Sequence, residues 1–545
     1  MSTSTMQPPH PALRAPREDR TALIDPPLGG VDSLLDENVR LRHQQDYDVQ
    51  GRRLSQLTLQ ARQELLREAR RYTSAYRDVA AAPSPESTER IFLAGHQPQL
   101  FHPGVWFKNF VLGYLADRCQ GTAVNLVIDS DTIKQVAVPV PGGTISQPRL
   151  EMIPLDRPDE RIPYEQRPVL DRDTFLAFGH RAHAQIAPLV PEPLVDRYWP
   201  LAAGRLGETD NLGECLAQSR HQLEGQLGLQ TLEIPQGRVC DMEPFCWFTA
   251  HLLAQLARLR DTYNRAVREY RRAHHIRSPA HPVPDLAAED QWLEAPLWIW
   301  TTQSPVRRRL FARPVAGRVI VADRHGWEAD LPLGPDADAA SAVQRLMDWN
   351  RQGVKIRSRA LITTLWARLV LGDLFLHGIG GAKYDQVTDL LMAEFFGVRP
   401  PGFMVVSATL RLPLARPAVS AEDAQTIQQH LRELTYHAEQ YLDPPSARPG
   451  GASGDAAELI AEKHRWIHTP VTPDNARRRW QAIGRTNEAR QPWVAGQRQR
   501  WLELQTQTAH ALRAERILAS REYPFCLYPE ATFREFVGGV LPKTE

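Results

Sequence analysis

The sequence has no long uninterrupted apolar run. Its most apolar stretch, residues 360–382, is broken by Arg368 and Asp373, whereas a membrane-spanning helix needs about 20 predominantly apolar residues. Residues 1–20 also lack the apolar centre of a secretory signal peptide. We therefore expect a soluble, cytoplasmic protein without a membrane partner.

Cysteine is scarce, and the five cysteines are scattered. Cys240 and Cys246 stand six positions apart, and no second pair of cysteines completes a zinc site. This usage is typical of a protein from a reducing compartment. We expect no metal centre.

An excess of charge of one sign is also missing. The 65 Lys and Arg residues against 64 Asp and Glu residues give a net charge of +1, which does not favour nucleic acid or an anionic membrane as a partner. The chain contains neither a GxGxxG nor a Walker motif. Proline, in contrast, is abundant: the 44 prolines separate many of the periodic segments and indicate a loop-punctuated, enzyme-like fold.

Strands and helices are predicted to alternate after residue 90. An apolar strand at 91–94 precedes a helix at 103–118, whose proline occupies the favourable first helical position, and a buried strand follows at 123–129. This order predicts a parallel α/β sheet. Further strands are predicted at 136–141, 229–235, 297–302, 318–323, 374–377 and 403–408, and further helices at 245–275, 359–371 and 386–396.

The same patterns predict how the chain is organised. The predicted segments are a disordered N-terminus at 1–28, a helical segment at 29–85 that ends in a linker (80–89), an α/β core at 86–418 with an insertion around 145–290, a helical arm at 419–519, and a tail at 520–545 that packs on the core. Two long helices, 420–442 and 474–519, flank a flexible stretch at 444–455 in the arm, which suggests an antiparallel coiled coil.

The stretch GHQPQLFHPGVWFKN, residues 95–109, is the first candidate site. Ligands of parallel α/β sheets bind beyond the carboxyl ends of the strands, where His96, Gln97 and His102 would stand beside the amides of a helix N-terminus. Lys108 lies on an otherwise apolar helix and needs a partner. A capped turn with Lys108 reaching water is the alternative, and a weaker one is a metal-dependent hydrolase that uses His96, His102 and Asp129.

Two further groups of polar residues are candidates. Asp129 and Asp131 follow a buried strand, where carboxylates can orient an amine or accept a proton, although a simple turn is the alternative. Glu294, Trp298, Arg307 and Arg309 lie within WLEAPLWIWTTQSPVRRRLF (292–311). Arginines in such a group can clamp a carboxylate or phosphate, whereas a solvated hairpin with surface arginines is the alternative.

The segment HGIGGAKYD, residues 377–385, repeats the arrangement of the first loop. His377, Gly380, Gly381 and Lys383 follow one predicted strand and precede a predicted helix, and glycines allow a ligand to approach the backbone closely. We expect residues 95–109 and 377–385 to face a single cleft.

These motifs resemble the bacillithiol-synthesis cysteine-adding enzymes, a family of cysteine ligases. The resemblance rests on GHQPQLFHPGVWFKN with the acidic strand end LVIDSDT, and on the order of segments in 360–410. It covers about residues 88–140 and 357–536. It implies a Rossmann-like, nucleotidyltransferase-like core with insertions, a coiled-coil arm that forms a homodimer, and amide formation between cysteine and a glucosamine–malate conjugate.

The resemblance also assigns residues. Gly95, His96 and Gln97 match the family's GHQ loop, and Lys108 matches its helix lysine. Asp129 and Asp131 match its acidic strand end, and Gly380 and Gly381 match its paired glycines. We therefore expect His96, Lys108, Asp129 and Asp131 to be catalytic. The remaining candidates, including Asn109, are expected to bind substrate or nucleotide, with ATP or ADP as the candidate cofactor.

The chain also departs from the family. The loop reads Gln99-Leu100-Phe101-His102, the acidic end reads Asp129-Ser130-Asp131, and Ala382-Lys383 follows the paired glycines. We therefore expect a divergent ligase that joins an amino acid or other amine to a small acceptor. A non-catalytic binding or scaffold protein is the alternative from another functional class.

Overall fold

A six-stranded sheet organises the first of two units in the computed structural model, which describes residues 13–79, 90–133, 135–159, 161–441 and 453–542. The five strands after the first in this sheet run parallel, and the first pairs antiparallel at the edge. The α/β prediction is therefore confirmed. The strand order is β1 (Thr21–Asp25), β16 (Met404–Thr409), β15 (Leu374–His377), β4 (Ile91–His96), β5 (Thr122–Val127) and β8 (Leu232–Pro235).

A second, antiparallel sheet belongs to the same unit and contains the predicted strands at 297–302 and 318–323. Its strand order is β13 (Glu328–Leu331), β12 (Arg318–Ala322), β11 (Arg308–Val315), β10 (Trp292–Thr301) and β14 (Val354–Ser358), with β9 (Ala288–Glu289) paired to β10. Two short pairs complete the strands: β2 (Asp48–Val49) with β3 (Arg52–Arg53), and β6 (Ala137–Gly143) with β7 (Pro148–Pro154).

The helices of this unit follow the apolar periodicity of the sequence. The predicted helix at 103–118 has the predicted bounds. The helices are α1 (Val31–Gln44), α2 (Leu54–Ser74), α3 (Pro103–Arg118), α4 (Arg172–Ile186), α5 (Val195–Arg205), α6 (Leu212–Gln226), α7 (Gln236–Asp241), α8 (Glu243–Ala254), α9 (Leu256–Ala273), α10 (Ala340–Arg351), α11 (Ala360–Trp366), α12 (Ile379–Leu391) and α16 (Glu530–Val540). Single π-turns, Ala367–Leu371 and Met392–Phe396, extend α11 and α12.

Three predicted boundaries are wrong. Part of the N-terminus expected to be disordered forms β1, because its backbone pairs with β16 along its whole length; residues 1–12 lie outside the described residues. The insertion around 145–290 supplies β8 to the central sheet. The helix predicted at 245–275 is two helices, α8 and α9, separated at Gln255.

The glycine-rich loop predicted at 378–385 is also wrong, because α12 begins at Ile379. Gly380 and Gly381 occupy its first turn. A Cβ atom on Gly381 would lie 2.7 Å from Nδ1 of His377, so this glycine permits close packing against an imidazole. The glycines were interpreted as a loop, whereas they lie in a helix and Gly381 allows that helix to pack closely on His377.

The aromatic tail contacts α3 within this unit. Phe533 stacks on Trp106 with ring centroids 4.2 Å apart, and Phe525 lies 4.5 Å from the same indole. Phe536 contacts Phe107. Residues 520–545 were predicted to pack on the core, and these contacts hold the tail against the helix that follows β4.

The second unit comprises Pro141–Leu150 and Leu414–Ser520. Its helices are α13 (Ala421–Tyr436), α14 (Ser453–His468) and α15 (Ala476–Leu518). Antiparallel packing of α13 on α15 places His430 on Trp501, with ring centroids 4.3 Å apart, and brings Gln491 to the carbonyl of Leu434. The helix α14 was not predicted; the linker at 80–89 and residues 444–452 of the flexible stretch lie outside the described residues.

No helix among the described residues combines the length and the apolar character needed to cross a bilayer.

Candidate functional site

A cleft of about 910 Å³ lies at the carboxyl ends of the parallel strands. All five parallel strands contribute to it through residues near their carboxyl ends: His96, Ile128, Gln236, His377 and Ser407. The stretches 95–109 and 377–385 line this cleft together, as predicted. The topology explains this meeting, because the carboxyl ends of parallel strands share one edge of a sheet.

Positive charge dominates the lining. Asp131 is the one carboxylate among the described residues that line the cleft. The basic lining residues are Arg14, Lys108, Arg307, Arg309, Arg359, Lys383 and Arg521. The cleft is therefore suited to a ligand that carries negative charge.

Lys108 is a buried ammonium group at the base of the cleft. It is 4% exposed, and its Nζ donates a hydrogen bond to the carbonyl oxygen of Gly95 at 2.6 Å. No carboxylate pairs with it among the described residues. Burial, helped by the charge of nearby Arg220, lowers the pKa of Lys108 to about 8. The predicted alternative, in which this lysine reaches water, is therefore wrong.

His96 ends β4 with both ring nitrogens facing protein atoms. Its Nδ1 lies 3.4 Å from the carbonyl oxygen of Gln97, and its Nε2 lies 3.4 Å from the amide nitrogen of Asn109. Burial, together with the positive charges of Arg220 and Lys108, holds the pKa of His96 well below its ordinary value. A neutral imidazole with both nitrogens occupied is better suited to positioning than to proton transfer.

A fully buried polar network supports His96 from behind. Asn109, which does not line the cleft, donates to Oε1 of Glu224 at 2.8 Å, and the same oxygen accepts bonds from Trp106 and Arg220. Arg220 also pairs with Glu233, whose pKa burial raises to about 7. Asn109 thus links the imidazole to this network.

Asp131 accepts hydrogen bonds from two sides at the rim of the cleft. It accepts a hydrogen bond from Gln97 and a charge-assisted one from Arg307 at 2.6 Å. The Arg307 guanidinium also lies 4.5 Å from the centroid of Trp298. These contacts join the loop after β5 to the antiparallel sheet.

Glu294 does not line the cleft, contrary to its predicted role in binding. Glu294 is fully buried, and its carboxylate pairs with Arg359 at 2.7 Å and with Arg309 at 3.3 Å. Because a buried carboxylate needs cationic partners, Glu294 fixes the two arginines whose side chains reach the cleft.

Asp129, expected to be catalytic, does not line the cleft that contains His96. Its Oδ1 accepts the backbone N–H of Gly237 at 2.8 Å, and it lines a separate cavity of about 190 Å³ with Glu165. Burial and the neighbouring Glu165 carboxylate raise the pKa of Asp129 well above its ordinary value. The backbone turns after β5, so residues two positions apart face different cavities.

His102 caps α3, and its Nδ1 accepts the N–H of Gly104 at 3.1 Å. Its Nε2 lies 3.7 Å from Glu522. Burial lowers the pKa of His102. The predicted cluster of His96, His102 and Asp129 does not form, and the described part of the chain has no group of three or more His, Cys, Asp or Glu side chains that could hold a metal ion.

Two residues that line the cleft, Arg359 and Gln236, were missed by the sequence analysis. Arg359 directly follows β14, a strand that was not predicted, and Gln236 directly follows β8. Gln236 donates to Ser358 and Thr363 and so links the two sheets. Both residues lie one position beyond a strand. For Gln236 that strand was predicted at 229–235, so the signal was available, whereas for Arg359 the strand itself was not recognised.

No protein-family model matches the chain, and no curated protein sequence matches it.

Proposed function

We propose that the cleft is the active site of a ligase that joins an amino acid or other amine to an anionic small-molecule acceptor. The excess of basic side chains in one cleft at the carboxyl ends of parallel strands carries this proposal. The residues that line it include most of those on which the resemblance to the cysteine-adding enzymes rests. Cysteine is accordingly the first amine to test.

The anionic acceptor or a nucleotide phosphate has several partners in this scheme. Lys108 supplies a positive charge that no protein carboxylate neutralises among the described residues, and Arg307 and Arg309, paired with Asp131 and Glu294, add two further guanidinium groups to the lining. The first turn of α12 adds backbone amides that no side chain caps. ATP or ADP is the proposed cofactor, held in a Rossmann-like, nucleotidyltransferase-like core.

The amine has fewer candidate partners. Asp131 is the carboxylate that lines the cleft among the described residues and could orient an ammonium group, and it is bonded to Gln97 and Arg307 at the rim. His96 and Gln97 lie beside it on the same loop. Catalysis in this arrangement rests on holding the two reactants close together and on stabilising negative charge.

The helical unit is proposed to form a homodimer as a coiled coil. Exposed apolar side chains near the turn between α14 and α15 favour this role, with Trp480 77% exposed and Val471 63% exposed. Sedimentation of the full chain measures the oligomeric state directly.

Calorimetric titration tests the ligand class. We expect ATP, ADP or inorganic tripolyphosphate to bind the wild-type chain, and Arg307→Gln to weaken this binding about tenfold or more, because a charge-assisted hydrogen bond contributes about 1.5–3 kcal/mol. Arg351→Gln, which changes an exposed arginine paired with Asp348, is the matched control and should leave affinity unchanged.

Product analysis tests the reaction. Mass spectrometry after incubation with ATP, cysteine or other amino acids, and a glucosamine–malate conjugate should detect a new amide. If neither nucleotides nor amino acids bind, and His96→Ala leaves the cellular phenotype unchanged, the ligase proposal fails in favour of a scaffold.

A further inference from the structure

A histidine and an aspartate form a buried pair at the end of β15. Nε2 of His377 lies 2.6 Å from Oδ2 of Asp385, which belongs to the second turn of α12. The same carboxylate oxygen accepts a hydrogen bond from Arg368 at 2.7 Å. All three side chains are at most 4% exposed, so the pair has a fixed geometry.

The pair fixes which nitrogen of His377 carries the proton. The Arg368 guanidinium and His377 hold the pKa of Asp385 well below its ordinary value against the opposing effect of burial. An ionised carboxylate can only accept hydrogen bonds. Nε2 of His377 therefore donates to Asp385, and in the neutral ring Nδ1 keeps its lone pair.

Nδ1 lies on the side of the ring next to Gly381, another residue that lines the cleft. A Cβ atom at Gly381 would lie 2.7 Å from Nδ1, so the glycine keeps side-chain atoms of this position away from that nitrogen. No hydrogen-bond partner of Nδ1 occurs among the described residues. Gly378 and Gly380 have open space where a Cβ atom would stand, which leaves room for a ligand beside the ring.

His96 offers a contrast within the same cleft. Its two nitrogens face the carbonyl of Gln97 and the amide of Asn109, and the positive charges of Lys108 and Arg220 oppose its protonation. His377 instead has an ionised carboxylate behind it, which stabilises the imidazolium formed when the ring takes up a proton. The surroundings of His377 therefore favour uptake of a proton by the ring, whereas those of His96 oppose it.

We propose that His377 is the proton acceptor of the cleft and that Asp385 is its positioning residue. The identity of the donor rests on the proposed function: the substrate's ammonium N–H bond breaks, its electron pair stays on the amine nitrogen, and a new N–H bond forms at Nδ1. The imidazolium keeps its Nε2–H bond to Asp385. The freed amine is then the nucleophile that amide formation requires.

The tautomer can be measured without any substrate. In protein labelled with ¹³C and ¹⁵N at histidine, the ring shifts distinguish a proton on Nε2 from one on Nδ1, and the His377 signals are assigned by their loss in His377→Gln. We expect neutral His377 to carry its proton on Nε2. A proton on Nδ1 would overturn the proposal, whether or not the chain proves to be a ligase.

Two glycine variants test the position of Nδ1 while leaving Asp385 and Arg368 intact. Gly381→Ala should displace the His377 ring and shift its signals, because the new methyl group would overlap Nδ1. Gly380→Ala, in the same helical turn, adds a methyl group to open space and should leave these signals in place. Equal shifts in both variants contradict the placement of Nδ1.

Turnover measurements test the role of the pair. Asp385→Asn removes the negative charge that stabilises the imidazolium and should lower kcat about 100-fold or more, with a smaller change in KM. The matched control is Asp196→Asn, which alters an exposed pair between Asp196 and His183 at 2.8 Å and should leave kcat unchanged. An unchanged kcat in Asp385→Asn would overturn the catalytic role of the pair, whereas absence of any turnover in the wild type would count against the ligase proposal instead.

Discussion

Lys108 is a charged group that the fold buries without a carboxylate beside it among the described residues. Its hydrogen bond to Gly95 satisfies one donor of the ammonium, but a backbone carbonyl carries only a partial charge. The folded chain therefore favours the neutral amine more than the unfolded chain does. A ligand that brought negative charge to the cleft would reverse this preference.

This burial has a consequence for stability. Because the pKa of Lys108 is about 8 in the folded chain and about 10.4 in the unfolded chain, the unfolded chain binds more protons between these values, and stability contributed by this group rises with pH there. We expect the free energy of unfolding of Lys108→Met, relative to wild type, to fall by about 3 kcal/mol from pH 7 to pH 10.5. Urea unfolding at a series of pH values measures it; a difference independent of pH would contradict the burial of a titrating amine.

The side chains next to the strand ends were the most predictable part of the site. Gly95, His96, Gln97 and His377 could be placed because each follows an apolar run in a β–α–β pattern. The separation of Asp129 from Asp131 could not be predicted, since it depends on the turn that the backbone takes after β5. The pairing of His377 with Asp385 was hidden for a related reason: it requires α12 to begin at Ile379.

At the level of elements, α3 sets the position of the first loop because it packs closely on β16. Gly104 in its first turn permits this contact: a Cβ atom there would lie 2.1 Å from the carbonyl oxygen of Ala408, which is backbone and cannot rotate away. The glycine further along the same helix, Gly113, would place its Cβ atom 3.6 Å from the nearest side chain, an ordinary contact distance.

These two glycines make a matched pair of substitutions. Gly104→Ala should destabilise the chain by about 1–3 kcal/mol or more, as overpacking does. Gly113→Ala should be neutral or stabilise it by up to about 1 kcal/mol, since alanine favours helix. Thermal unfolding of both variants compares them, and equal melting temperatures would show that α3 can move away from β16.

The elements themselves were predicted where periodicity was strong and missed where tertiary contacts decide. The strand β1 has no distinctive alternation and exists through its pairing with β16. The strand β14, five residues long, was missed as well, whereas β8 lies within the strand predicted at 229–235. Because β14 was missed, Arg359, which follows it directly, was missed among the residues that line the cleft.

At the scale of the whole molecule, charge is organised differently in the two units. The first unit concentrates basic groups around an open cleft. The second buries two basic side chains: Lys463 and Arg490 are at most 1% exposed, and both pair with Glu439. A single carboxylate therefore neutralises two buried cations that join α14 and α15.

Removing that carboxylate should loosen the second unit specifically. Glu439→Gln leaves two buried cations without a counter-ion, which costs about 3–5 kcal/mol, and we expect faster amide hydrogen exchange in α13, α14 and α15 than in wild type. Exchange in the central sheet should not change. Glu433→Gln, at a more exposed carboxylate bonded to Tyr441, is the control, and equal effects of the two variants would contradict the central role of Glu439.

The path of the N-terminal segment has a practical meaning. Before it enters β1, the chain is held where Thr409 donates to the carbonyl of Pro16, and residues 13–15 form part of the wall of the cleft. A protein shortened to begin at Pro16 would lose this part of the wall. Ligand affinities should therefore be measured on the full chain.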